Sequence, residues 1–120
     1  MICYAALSPH PPLIIPEVGG HDINKVAATV GAMQEMAGEL VASEPDVVVF
    51  LTPHGNVFSD CLTVLREPQL CGDLAKFGRP EVKTVHPNQL ELVRELSGMA
   101  RQKGISLVEI DRDLARRHGL

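Results

Sequence analysis

The chain has 120 residues, 45% apolar and 22% charged, with a formal net charge of −4, a composition that excludes a disordered or fibrous protein. It has no basic block, no tryptophan and only 3% aromatic residues, so neither a nucleic acid nor an anionic membrane is the expected partner.

The first residues, Met1 to Ser8, carry no basic stretch, and Pro9, Pro11 and Pro12 interrupt any apolar run. Neither a signal peptide nor a membrane span is expected. Cys3, Cys61 and Cys71 are odd in number, far apart and lack C-x-x-C spacing. They read as reduced, buried thiols of a cytoplasmic protein, not as a disulfide framework or zinc knot.

Ile2 to Leu7 is a short apolar run expected to form a strand buried on both faces. The prolines after it stop any ladder, and Leu13 to Pro16 reads as an extended loop ending at Gly19-Gly20. From Asp22 the period changes. Ile23, Val26, Ala27, Val30, Met33, Ala37, Leu40 and Val41 fall at steps of three or four and predict a helix ending near Ser43. Asp22 and Asn24 are its candidate N-caps. Val47 to Leu51 predicts a second strand, and Cys61 to Leu65 a third at an edge.

Arg66 to Val85 is rich in glycine, proline and charge and reads as a long irregular excursion. Leu90, Val93, Leu96 and Ala100 then predict a second helix stopped at Lys103-Gly104. Ile105 to Ile110 reads as a fourth strand, and Asp111 to His118 as the start of a third helix. The order of elements implies an α/β layered sheet, partly parallel.

Two predicted strands end in almost the same phrase, Ser8-Pro9-His10-Pro11 and Thr52-Pro53-His54-Gly55. Ligands in open α/β sheets bind at the carboxyl ends of strands, and neutral imidazole is a common metal ligand. His10 and His54 therefore read either as a metal-binding pair or as ordinary loop histidines. A pair does not complete a site. A ferrous oxygenase needs a carboxylate as well, and catalytic zinc usually takes three protein ligands. Glu17 and Asp60 are the acids in the same two loops, with solvated loop residues as the alternative reading. His21, His86 and His118 read as exposed residues near helix ends. No phosphate-binding glycine loop and no nucleophile motif occurs.

The stretches Ala6-Leu7-Ser8-Pro9-His10-Pro11-Pro12, Ile14-Ile15-Pro16-Glu17-Val18-Gly19, Thr52-Pro53-His54-Gly55 and Phe58-Ser59-Asp60 together resemble the LigB family. This family comprises the catalytic subunits of class III extradiol (aromatic ring-opening) dioxygenases. Gly72-Asp73 and Phe77-Gly78 add a likeness to its branch of Memo-like and AmmeMemoRadiSam proteins. The resemblance implies a three-layer α/β/α sandwich with a mostly parallel or mixed sheet, of which residues 1–120 form the N-terminal portion. It implies non-haem Fe(II) held by two histidines and a glutamate, with His10 and His54 at the histidine positions. It also implies a catecholic aromatic substrate and a separate acid/base histidine.

The glutamate and that histidine lie further along the family's chain than this sequence extends, so neither role passes to a residue here, His118 included. A two-histidine remnant is expected to bind Fe(II) weakly and to be inactive alone. The Memo-like branch implies the alternative of a non-catalytic metal-binding or protein-interaction module. Metal-dependent hydrolysis with zinc is a third. An uncovered sheet edge or face also predicts self-association, as a dimer.

Overall fold

A computed structural model describes residues 1–55 and 58–114. The chain divides into two compact units, residues 1–48 with 73–83 and residues 49–72 with 84–120. Half of the predicted helix at 111–118, residues 115–118 with His118 among them, lies outside the described residues.

In the first unit the prolines start helical turns where the sequence suggested an extended loop. Pro12 opens a 3-10 turn, Pro12–Ile14, and Pro16 opens α1, Pro16–Gly19. Both sit at the first helical position, where the missing N–H leaves no hydrogen bond unmade. The Gly19 N–H closes on the Ile15 carbonyl at 2.8 Å. A 3-10 stretch, Gly20–Val26, then runs into α2, Ala27–Ala42. Neither Asp22 nor Asn24 caps α2, whose start follows directly from that stretch. Asp22 instead pairs with Lys25 at 2.6 Å.

Along α2, Thr29, Val30, Met33, Met36 and Leu40 are half-buried, a helical stripe close to the predicted face. The helix ends where proline forbids continuation. The Ser43 hydroxyl donates to the Leu40 carbonyl at 2.8 Å, Glu44 turns left-handed at φ 47°, and Pro45 follows.

The N-terminal apolar run lies beside α2 without joining a ladder. Tyr4 Oη donates to Glu39 Oε2 at 2.9 Å, Cys3 Sγ faces Ser43 Oγ at 3.9 Å and Ser8 Oγ faces Met33 Sδ at 2.9 Å. The segment thus runs opposite in direction to α2, held by side chains. Ile2 and Leu7 point to solvent. Val47 to Leu51 also carries no regular structure, and all five residues are exposed. β-branched and aromatic residues favour strands only through the neighbours they pack on. Among the described residues, the ladders formed are those of the elements below.

The second unit holds β1, Leu62–Leu65, and β4, Leu107–Ile110, paired in parallel with Leu62 opposite Leu107 and Leu65 opposite Ile110. Flanking bonds extend the ladder, from Leu62 N–H to the Ser106 carbonyl at 2.9 Å and from Arg66 N–H to the Ile110 carbonyl at 2.8 Å. Parallel neighbours need a crossover, supplied here by α3, Leu90–Gln102, which packs on β4. Gln89 caps α3 by accepting from the Glu91 N–H. The helix closes with paired bonds from Ile105 N–H to the Ala100 carbonyl and from Gly104 N–H to the Arg101 carbonyl, a Schellman ending. Among the described residues, the buried apolar core consists of Val93, Ala100 and Ile110.

The expected irregular excursion is instead a hairpin. β2, Gln69–Leu74, and β3, Arg79–Pro87, pair with each other around a 3-10 turn at Ala75–Phe77. Its strands are exposed along almost their whole length, so charged and polar residues occupy positions that a buried strand would give to apolar ones. Asn88 closes its base. The side-chain amide donates to the Leu65 and Glu67 carbonyls at 2.8 and 2.9 Å, and the backbone N–H to the Pro68 carbonyl at 2.9 Å.

The α/β class expected from the sequence therefore holds, with helices beside small parallel and antiparallel sheets. Among the described residues no helix is long and apolar enough to cross a membrane. Cys3 and Cys71 are exposed and Cys61 half-buried, all with free thiols, so the expectation that the three are buried fails. Their side chains sit on the N-terminal segment, at the edge of β1 and on the exposed hairpin, where little packs over them.

Candidate functional site

His10 lies in the first unit, between Pro9 and Pro11, just before the 3-10 turn that Pro12 opens. His54 lies in the second unit, between Pro53 and Gly55. Both residues are exposed. The runs that precede them form no ladder, so neither histidine stands at the carboxyl end of a hydrogen-bonded strand.

The two phrases use their hydroxyls differently. Ser8 Oγ donates to the carbonyl of the next residue, Pro9, at 2.9 Å and also contacts Met33 of α2. Its hydroxyl thus ties the His10 loop to a helix. Thr52 Oγ1 accepts the backbone N–H of His54 at 3.2 Å, a local turn bond within the phrase itself. Gly55 follows at φ 101°, a backbone conformation that side-chain-bearing residues avoid. The matched spelling therefore hides two ways of fixing a loop.

Glu17, in α1, shares a unit with His10, and Asp60 shares one with His54. Both acids are exposed. Among the described residues no three His, Cys, Asp or Glu side chains gather closely enough to hold a metal ion. The described residues thus do not assemble the two-histidine, one-carboxylate set that non-haem Fe(II) requires. His21 and His86 are exposed, as expected.

A group of residues that motif reasoning missed lies where β1 and β4 end. Arg66 donates to Asp111 at 2.6 Å and to Glu109 at 3.3 Å, and these carboxylates raise the already high guanidinium pKa, Asp111 most. Glu67 accepts the Arg112 backbone N–H at 2.7 Å, and Asp111 Oδ1 accepts the Leu114 N–H at 2.8 Å. The acids here serve neighbouring donors, and the group acts as a clasp. Its only signal in the sequence was the run Asp111 to Asp113, readable as cap chemistry.

A shallow cavity of about 370 Å³ opens between α3 and β4, lined by Ser97, Arg101, Ile105, Ser106, Leu107 and Glu109. Among the described residues that line it there is no histidine or cysteine, and Glu109 already accepts from Arg66. Metal chemistry has no donor set there.

Residues 4–120 match the family described as the catalytic LigB subunit of aromatic ring-opening dioxygenase. A curated relative, Protein CA_C1420 of Clostridium acetobutylicum, is 27% identical over 112 residues. That alignment covers 93% of this chain but 24% of the relative, so the chain spans about a quarter of that protein's length. No solved structure matches. With nearly its whole length matched, His10 and His54 included, the chain belongs to the LigB family of aromatic ring-opening dioxygenase catalytic subunits.

Proposed function

We propose that this chain supplies the two-histidine part of a non-haem Fe(II) centre in an extradiol-type, ring-opening dioxygenase domain of the Memo-like branch. His10 and His54 are its metal ligands, and a catecholic aromatic is the substrate class. The observation that carries this reading is the paired phrase, hydroxyl-Pro-His followed by proline or glycine, within a chain that matches the family from residue 4 to residue 120. Each imidazole follows a proline of fixed φ and precedes a conformationally special residue, which limits the movement of its backbone. Bound Fe(II) would supply the oxygen and ring-opening chemistry. The residues present contribute two neutral nitrogen donors, and the carboxylate and the acid/base group must come from outside the described set.

The test is anaerobic calorimetry with Fe(II), repeated with Zn(II), on the full 120-residue chain and on its His10→Ala/His54→Ala variant. Wild-type binding that disappears in the double variant is the expected result. Equal binding by both proteins ends the proposal.

A second reading is favoured by the lack of any three-ligand group among the described residues. The chain would then serve as a non-catalytic metal-binding or protein-interaction module, self-associated as a dimer. Ring cleavage of a catechol by the Fe(II)-loaded chain would exclude it.

A further inference from the structure

We infer that Thr52 is a positioning residue for His54, holding that histidine's backbone in the conformation in which its imidazole receives a metal ion. This rests on the reading of His54 as a ligand and deepens it.

The observation is the bond from the His54 N–H to Thr52 Oγ1 at 3.2 Å, placed between two other constraints. Pro53 locks φ within the turn, and Gly55 takes φ 101° immediately after it. Thr52, Pro53 and Gly55 thus restrict the peptide planes on both sides of the His54 Cα. The direction of its Cα–Cβ bond, from which the imidazole projects, is thereby fixed. An exposed histidine on an unrestrained loop would have to order its backbone on binding, at a cost in affinity.

The chemistry requires a hydroxyl at position 52. Valine matches threonine in shape but offers no acceptor to the His54 N–H, whereas serine keeps the oxygen. The corresponding Ser8 bonds forward to the Pro9 carbonyl and touches Met33. Its hydroxyl acts as a donor that ties the loop to α2. Loss of the hydroxyl should therefore have unlike effects in the two phrases, since Thr52 acts directly on its histidine's backbone.

The experiment measures Zn(II) affinity by calorimetry on the full chain for wild type, Thr52→Val, Thr52→Ser and His54→Ala, with the melting temperature of each metal-free protein. Thr52→Val should bind about three- to tenfold more weakly, the worth of one exposed hydrogen bond. Thr52→Ser should stay within about twofold of wild type, since the acceptor is retained. Melting temperatures should not differ, because residue 52 is exposed. As an independent check, the His54 amide proton of the wild type should show the small temperature coefficient of a bonded amide.

Wild-type affinity in Thr52→Val alongside a loss in His54→Ala overturns the inference and leaves the ligand reading standing. An equal loss in Thr52→Ser also overturns it, because the hydroxyl would then not be the cause. Unchanged binding in His54→Ala overturns the ligand reading itself, and the inference falls with it.

Discussion

Arg66 and Asp111 lock the end of the parallel ladder, the guanidinium donating to Asp111 Oδ2 at 2.6 Å one residue beyond the last β1–β4 pair. Both side chains are partly open to solvent, at 52% and 26%, so the pair gains little from its charge alone. Its value lies in the attached backbone bonds, since the Arg66 N–H reaches the Ile110 carbonyl and Asp111 accepts from Leu114. A double-mutant cycle with Arg66→Met and Asp111→Asn, read by urea denaturation, should give a favourable coupling that shrinks as NaCl is raised. Coupling that is insensitive to salt would show that the charges are not its source.

Ile110 is the other anchor of that ladder. It is 2% exposed and brings the end of β4 into the core with Val93 and Ala100. With so few buried apolar residues among those described, a cavity here has little around it to compensate. Ile110→Ala should destabilise the second unit by about 2–4 kcal/mol, and Ile110→Val by about 1 kcal/mol. Urea melts followed by circular dichroism at 222 nm, which report chiefly on the helices, measure both. A cost for alanine no larger than for valine would mean that the site collapses freely.

Gly19 sits at the end of α1 with no room for a side chain, because an added Cβ would fall on the Leu13 carbonyl oxygen. That oxygen belongs to backbone and cannot rotate away. Gly19→Ala should cost about 1–3 kcal/mol and shift the turn at Pro12–Ile14, which follows the His10 loop. Thermal melts and the amide spectrum of residues 10–20 test this. Gly31→Ala, in α2 with open space around the new methyl, is the control and should be neutral or mildly stabilising.

The helices were legible because periodicity is a local property. The stripe Val30, Met33, Leu40 on α2 and the pair Val93, Ala100 on α3 are spaced as a helix requires, and the Gly104 stop is written beside the helix it ends. Strands were harder, since a run such as Val47 to Leu51 becomes one only when another segment lies next to it. The hairpin was missed for the opposite reason, as exposure on both faces erased the alternation that marks a half-buried strand. Asn88 had no local signature either, because the carbonyls it bonds lie 23 and 21 residues away along the chain. For the candidate site, the phrases around His10 and His54 stand out in the sequence, but the different uses of Ser8 and Thr52 do not. Which partner a hydroxyl chooses depends on what the fold brings within about 3 Å.

Tyr4 offers a direct reading of how the N-terminal segment sits on α2. Its pKa is raised above the ordinary value, chiefly because the phenol donates to Glu39, then through burial and the carboxylate's negative charge. All three favour the neutral phenol. The stabilisation is therefore fully present below the unfolded-state pKa, about 10, and is lost as pH climbs through the higher folded value. The chain has one tyrosine and no tryptophan, so absorbance at 295 nm follows Tyr4 without interference. The expected titration lies above that of the urea-unfolded chain. Glu39→Gln should move it back towards the unfolded value, because the amide can still accept the bond but carries no charge. Coincident folded and unfolded titrations would mean that Tyr4 is not docked on Glu39 in solution.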